Sequence, residues 1–507
     1  MLGFITNRGF LTGRGFGGLR RMLRRRFDAI RVLDLRGDSQ GTRPATVAVD
    51  ENVFNIQVGV CLLIAFATGN KPRGAEAQIS YSDAWQAGAF TRLEKLHLAS
   101  TAATDSTLLQ YRPVPGRDMD PLKPSGFAST DWPGIDELLT FRSNGIVTYR
   151  DDFVYATTHA ALANRIQRWL QLPPEQAREE FGDSTLNKIG PAMMVSFDAT
   201  AIERVSYRPL DARFLYGKVT YVDRLRPLLQ DAWGSENVAF MALNDGTSAG
   251  PAVWCHSLKP DQHAFRGSYG GWVFLFRNHS TEGPRHFLPP NLVGGLAAAY
   301  GRPVVQIDIF DTVLGLLSAS SYTTRFAFDL EDNFPHIPFP ADPAVFDIAA
   351  RLGARIRALE GFGPAPGAGF RSARLVGRPS GATLDVPSSQ RAFAGTGPAG
   401  SIALLRDRSL CIAGVTERVW RFEISGYPVL YRWLRARSGE SITGPSGAAL
   451  LREALDIAWR IGELIDLFDQ ADTVLGQALE APLTRGDLDL PRRSAVAIAA
   501  DEDDTAG

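Results

Sequence analysis

Over residues 3–67 the apolar residues recur at strand spacing, then at helical spacing, then twice more at strand spacing, an order that confines the opening of the chain to a layered α/β sheet. Gly3-Phe4-Ile5-Thr6 reads as a strand with no cap or leader ahead of it, so the chain is expected to start inside a domain. A Gly-rich loop follows. Leu19, Met22, Leu23 and Phe27 then share one helical face, set among Arg20, Arg21, Arg24, Arg25 and Arg26. Strands are expected at 30–35 and 58–66, on either side of a polar loop. Residues 1–82 therefore read as an α/β half-domain.

From 83 to 135 the sequence turns polar and Pro-rich, which suits a connector running over a surface. Short strands are expected at 141–155, 202–221, 238–241 and 272–276, with helices at 160–170 and 223–233, giving a mixed α+β region over 136–300. Residues 301–484 read as helical at 308–317, 344–359 and 447–475, around a Pro-locked turn at 334–340. The 49 glycines and 31 prolines support this turn-rich organisation against a long all-helical array. A disordered acidic tail is expected over 485–507, which closes on Asp501-Glu502-Asp503-Asp504.

Fifty-four Lys and Arg against 55 Asp and Glu leave a formal net charge of −1, so no global field draws the chain to nucleic acid or membrane. Any polyanion site must be a local patch. One such patch is 204–226, where Arg204, Arg208, Arg213, Lys218, Arg224 and Arg226 face only Asp211 and Asp223, with Tyr207, Phe214, Tyr216 and Tyr221 interleaved. Guanidinium groups and aromatic faces in that mixture contact phosphates and base edges, and the same residues equally suit a solvated strand with buried rings. Three cysteines, Cys61, Cys255 and Cys411, lie too far apart for a disulfide framework or a CxxC knuckle, which points to a reducing, cytoplasmic setting. The longest apolar run, residues 58–67, is too short to span a bilayer. The seven histidines show no paired metal-ligand spacing, so no metal is expected.

Gly13, Gly15 and Gly18 form a GxGxxG pattern ahead of a helix, with Asp34 closing the next strand, as in an oxidoreductase-like nucleotide binder. The first strand, however, ends near Thr6, whereas a pyrophosphate turn needs its glycines at the strand end. A second match at Gly395, Gly397 and Gly400 holds Pro398 and reads as a loop. Gly246, Ser248 and Gly250 make a GxSxG that is followed by Pro251 and a strand, where a nucleophile elbow needs a helix. No phosphate-binding P-loop and no HExxH occurs.

Seven segments in order carry a resemblance: GFITNRGFL, GLRRMLRRRFDAIRVLDLRGD, ENVFNIQVGVCLLIAF, GIVTYRDDFVY, YRPLDARFLY, LLSASSYTTRFAFDLEDNFPHIPFP and GYPVLYRWLRARSG. Over residues 1–470 the chain resembles the C-terminal portion of type ISP restriction-modification enzymes, which join nuclease, translocase, adenine methyltransferase and target-recognition parts in one polypeptide. It departs from them at His336, where the family more often has Arg, and in the Gly/Pro-rich stretch 363–400.

The resemblance implies that residues 1–82 are the C-terminal part of a methyltransferase-like sheet, followed by a mixed α+β target-recognition region. The Gly-rich turn for S-adenosylmethionine and the Asn/Asp-Pro-Pro-Tyr/Phe loop of this enzyme class are absent from the chain, which is expected to begin just after that loop. It implies duplex DNA as partner, Phe54 as part of the face that stacks a flipped base, and Arg150, Tyr207, Arg208, Arg213 and Tyr216 near DNA. Methylation would need a partner chain carrying the missing half. The alternatives are the nucleotide binder on Gly13, Gly15 and Gly18, and a noncatalytic protein-interaction module built on the aromatic-basic strands.

Overall fold

A computed structural model describes residues 1–38, 47, 49–102, 109–116, 118–124, 127, 130–184, 188–244, 250–265, 270–279, 285–286, 288–331, 333–395 and 400–491. The first sheet contains β1 (Leu2–Asn7), β2 (Ala29–Arg36), β3 (Val60–Phe66), β4 (Gln78–Asp83) and β5 (Arg112–Pro113), in the order β1-β3-β2-β4-β5. β2 and β4 are parallel; β3 runs antiparallel to both β1 and β2, with Phe4 opposite Leu63 and Val32 opposite Leu63 on its other side. Ile30, Val32, Leu63 and Ala65 point to the face covered by Leu23 of the helix Gly17–Arg26, and Leu33, Leu35 and Val60 to the opposite face, against Leu98. Alternation along β2 thus feeds two apolar layers, as a sheet buried on both faces requires.

Arg20 and Arg24 sit on the inner side of that helix. Arg20 donates to the carbonyls of Phe10, Gly13 and Met119, and Arg24 to those of Gly116 and Pro121. The helix forms where its spacing predicts, but its buried face is Gly17, Arg20, Leu23 and Arg24: Leu19 and Met22 stand 38% and 49% exposed, and the two arginines fasten the connector instead of facing water.

Among the described residues three further sheets of three or more strands follow. A four-stranded antiparallel one has the order β11-β10-β12-β6, from β6 (Arg142–Asn144), β10 (Ala239–Ala242), β11 (Val253–His256) and β12 (Trp272–Leu275). A smaller one, β7-β9-β8, joins β7 (Tyr155–Ala156), β8 (Ile202–Arg208) and β9 (Asp211–Tyr216) around their own core of Phe153, Trp169, Phe181, Leu215 and Tyr221. After the short pair β13 (Arg277–Asn278) and β14 (Arg285–His286), a four-stranded sheet has the order β15-β18-β17-β16, from β15 (Arg374–Gly377), β16 (Phe393–Ala394), β17 (Gly400–Ala403) and β18 (Leu410–Val415), and a second short pair, Glu423–Ile424 with Tyr427–Pro428, follows it. The helices Gln306–Leu317, Pro343–Glu360 and Gly444–Glu480 pack together into the largest core, where Gly353 lets two of them approach so closely that a Cβ there would lie 1.8 Å from the Asp311 carbonyl oxygen.

Several expectations are corrected. The strand read at 202–221 is a hairpin, because Pro209-Leu210 turns the chain with Leu210 at φ 53. The helix read from 223 begins at Pro227, since Arg226 at φ 61 stands outside helical space and Pro favours the first helical position. The strand read at 141–155 breaks into β6, a turn and the two residues of β7. Residues 301–484 hold the β15–β18 sheet besides their helices. Residues 485–491 pack: Leu488 is fully buried, and Arg485 donates to the Pro491 carbonyl. Residues 492–507, with the acidic end, lie outside the described residues, as do Ser248 of the GxSxG and Gly397 and Pro398 of the second glycine pattern.

Candidate nucleic-acid interface

The carboxyl ends of β1, β2 and β4 lie at one end of the first sheet, the place where open α/β sheets bind ligands. Arg8 spans the Asp34 carboxylate with Nε and Nη2 at 3.0 and 2.9 Å. Arg36, at φ 58, pairs with Asp83 and with Glu331, 2.5 Å from Nη1, and its guanidinium lies 4.3 Å from the Trp85 ring centre. Tyr81 Oη stands 2.9 Å from both Asp34 and Asp83. Burial alone would raise the Asp34 carboxyl, but Arg8 and Arg36 outweigh it and hold it well below the usual carboxylate range. Lys123 joins Glu331 at 2.6 Å, so this network fastens the first sheet to the later helical region.

The same end carries the Phe54 loop. Gly37, at φ 85, lies where a Cβ would come within 2.5 Å of the Asn52 Cα, so only glycine fits there. Asn52 donates to the carbonyls of Gly37 and Val58, both at 2.8 Å, and accepts from the Phe54 backbone N–H at 2.9 Å. Phe54 itself is 45% exposed, beside the exposed Ile56 and Val58. The loop is thus pinned by its own backbone and holds the Phe54 ring partly in water.

Gly13, Gly15 and Gly18 form no phosphate cradle. The Gly13 carbonyl is taken by Arg20, a Cβ at Gly15 or Gly18 would meet nothing within 4 Å, and Asp34 is engaged with Arg8.

In the second region the hairpin β8–β9 brings Tyr207, Arg208 and Arg213 together. The two guanidinium groups lie 3.9 and 3.8 Å from the Tyr207 ring centre, and Tyr207 Oη donates to Asp151 at 2.9 Å. Arg208 pairs with Asp261 at 2.8 Å and Arg213 with Asp211 at 2.9 Å. Asp211 also accepts from Arg437 at 2.8 Å, and these guanidinium groups reverse the effect of its burial and lower its carboxyl. Three arginines thus meet three aspartates, which leaves the cluster close to neutral.

Arg150 and Tyr216 lie deeper. Arg150 is 7% exposed; it pairs with Asp223 at 2.8 Å, donates to the Tyr221 carbonyl and packs over the Phe181 ring. Tyr216 is fully buried, stacked near Phe197, and its hydroxyl accepts from the Asp198 N–H. Both are engaged inside the small core and present no group to the surface. Of the other cations in 204–226, Lys218 pairs with Asp198 and Arg226 is buried against the Gly145 carbonyl.

Two residues escaped the sequence reading. Arg437 completes the Asp211 cluster from 226 positions away, with no local signal to announce it. Tyr149 stands 74% exposed at φ 52, a left-handed conformation in which a bulky non-glycine residue is an outlier. Among the described residues no group of three or more His, Cys, Asp or Glu could hold a metal, and no helix is long and apolar enough to cross a membrane.

This fold is shared with DNA-bound restriction-modification enzymes. The ATP-dependent Type ISP restriction-modification enzyme LlaBIII bound to DNA superposes on 92% of the chain with a TM-score of 0.62 at 17% identity. The DrdV–DNA complex covers 95% at 0.59 and 20% identity, and a nuclease-deletion mutant of the Type ISP enzyme LlaGI with a DNA substrate mimic covers 92% at 0.59 and 16% identity. The present chain spans 32%, 50% and 39% of their respective lengths. The Type ISP C-terminal specificity domain matches residues 137–452, and the chain belongs to that family. No curated protein matches it.

Proposed function

We propose that this chain is the DNA sequence-specificity part of a type ISP-like restriction-modification adenine methyltransferase, binding duplex DNA and transferring no methyl group by itself. The supporting observation is the specificity-domain match over residues 137–452, set in a fold that DNA-bound enzymes share over more than nine-tenths of the chain. Tyr207, Arg208 and Arg213 are the hairpin residues we place at the DNA, with Arg150 and Tyr216 as the scaffold beneath them. Two cations stacked on one ring, each oriented by a carboxylate, form a fixed platform for a phosphate or a base edge.

On this reading the first sheet is the C-terminal part of a methyltransferase sheet. β1 pairs with β3 on one side, and on its other side no strand joins it among the described residues. Leu2, Phe4 and Ile5 are exposed on β1, with Ile64 and Phe66 beside them on β3. An apolar edge of this kind accepts another strand. A completing polypeptide would bring the S-adenosylmethionine turn and the Asn/Asp-Pro-Pro-Tyr/Phe loop, and Phe54 would then stack the flipped adenine. Three free cysteines, two of them buried, suit a reducing cytoplasm.

Retention of duplex DNA by the purified chain across a KCl series tests this function. Binding that weakens linearly in log salt is expected. No retention even at low salt would overturn the specificity reading and leave the interaction-module alternative.

A further inference from the structure

We infer that the outer face of the β15–β18–β17–β16 sheet is a second DNA-contacting surface, which takes the phosphodiester backbone of the duplex. This rests on the specificity reading above and names where the charge for it resides.

Residues 371–408 hold six arginines, Arg371, Arg374, Arg378, Arg391, Arg406 and Arg408, against two carboxylates, Asp385 and Asp407. That excess resembles the one in 204–226, but its disposition differs. Hairpin cations are engaged by aspartates, whereas Arg374, Arg378 and Arg391 are exposed and their side chains make no hydrogen bond or ion pair among the described residues. Arg408, at φ 60 in the β17–β18 turn, donates to the carbonyls of Arg391 and Ala392 and to Ser401 Oγ at 3.0 Å. Neutral acceptors orient that guanidinium without cancelling its charge. Arg406 pairs with Asp385, and that pair, 71% and 48% exposed, stands in water that screens it.

Register places these cations around a flat centre. Arg374 lies opposite Ala413, which lies opposite Ser401, which lies opposite Ala394; one step along, Val376 faces Cys411 and Cys411 faces Ala403. Leu375, Ile412 and Ile402 take the other face, into the large core. Among the described residues, Val376 apart, only small side chains occupy the outer face between Arg374 on β15 and Arg408 over β16–β17. Three strand spacings separate the outer strands by about 14 Å, close to the roughly 12 Å width of the major groove that two phosphate rows border. Cations on both margins of a low, uncharged floor match a duplex laid across it.

The test uses the full chain and compares duplex binding over a KCl series for wild type, R374Q/R378Q/R391Q, and a control triple at exposed arginines elsewhere, R92Q/R178Q/R351Q. None of the first three side chains has a partner to lose among the described residues, so the variant is expected to melt with wild type. Its slope of log affinity against log salt should fall by about 2.7, near 0.9 per lost phosphate contact, with binding at least tenfold weaker at low salt and the control within twofold. An unchanged slope in the first triple would overturn this inference while leaving the specificity reading intact. Equal losses in both triples would also overturn it, by showing that general charge, not this face, carries the affinity. Failure of wild type to bind at any salt would remove the specificity reading itself.

Discussion

Arg437, at the end of the helix Val429–Ala436, reaches Asp211 at the start of β9 with Nη2 2.8 Å from Oδ1, both side chains 2% exposed. The hairpin that carries Tyr207, Arg208 and Arg213 is thereby locked to the helical region. Asp211→Leu strands a buried guanidinium and is expected to cost about 3–5 kcal/mol in urea unfolding. Arg437→Met leaves Asp211 paired with Arg213 and should cost distinctly less. Equal costs would refute the lock.

Arg150 separates scaffold from contact. Arg150→Gln leaves Asp223 buried beside Tyr221 without its cation and should destabilise the chain by about 3 kcal/mol or more. The salt slope of DNA binding, measured well below the melting temperature, should stay at the wild-type value. A slope reduced by about one would instead make Arg150 a phosphate ligand.

His256 in β11 is fully enclosed, and burial lowers its pKa to about 3. Folding therefore keeps it neutral, while the unfolded chain takes up a proton near pH 6.5. Stability is retained above about pH 6.5 and falls below it, by up to roughly 1.4 kcal/mol per pH unit from this one group. Thermal melts between pH 7 and pH 5 should show that loss, and His256→Leu should flatten it. A wild-type profile level over that range would show that the folded ring takes up its proton as readily as the unfolded one.

Phe54 is 45% exposed and belongs to none of the apolar cores. Phe54→Ala should leave stability within about 0.5 kcal/mol of wild type. Once a completing methyltransferase half is supplied, the same variant should lose at least tenfold in adenine methylation, as a lost stacking contact of about 1–3 kcal/mol implies. Undiminished methylation would place the flipped base elsewhere.

The opening sheet is legible in the sequence because its periodicity is local, as in the apolar alternation of β2; the helix after β1 is legible too, but not its inner face, where Arg20 and Arg24 are buried against distant carbonyls while Leu19 and Met22 are exposed. The hairpin turn is not, since Pro209-Leu210 lacks the Asn or Gly that advertises such a turn, and tertiary packing holds Leu210 at φ 53 instead. Local charge excess in 204–226 is equally visible, yet its cancellation depends on Asp261, Asp151 and Asp198, which lie outside the segment and which local sequence cannot pair with it. The Gly/Pro-rich 363–400 conceals β15 and β16 because short strands between turns leave too few residues for a period to register.

The most direct measurement is selection of bound duplexes from a random-sequence DNA pool by the purified chain, with sequencing of the retained fraction. Enrichment of one short asymmetric site containing adenine is the predicted result. Retention without enrichment of any sequence would contradict the central claim, since a specificity module must read bases and not phosphates alone.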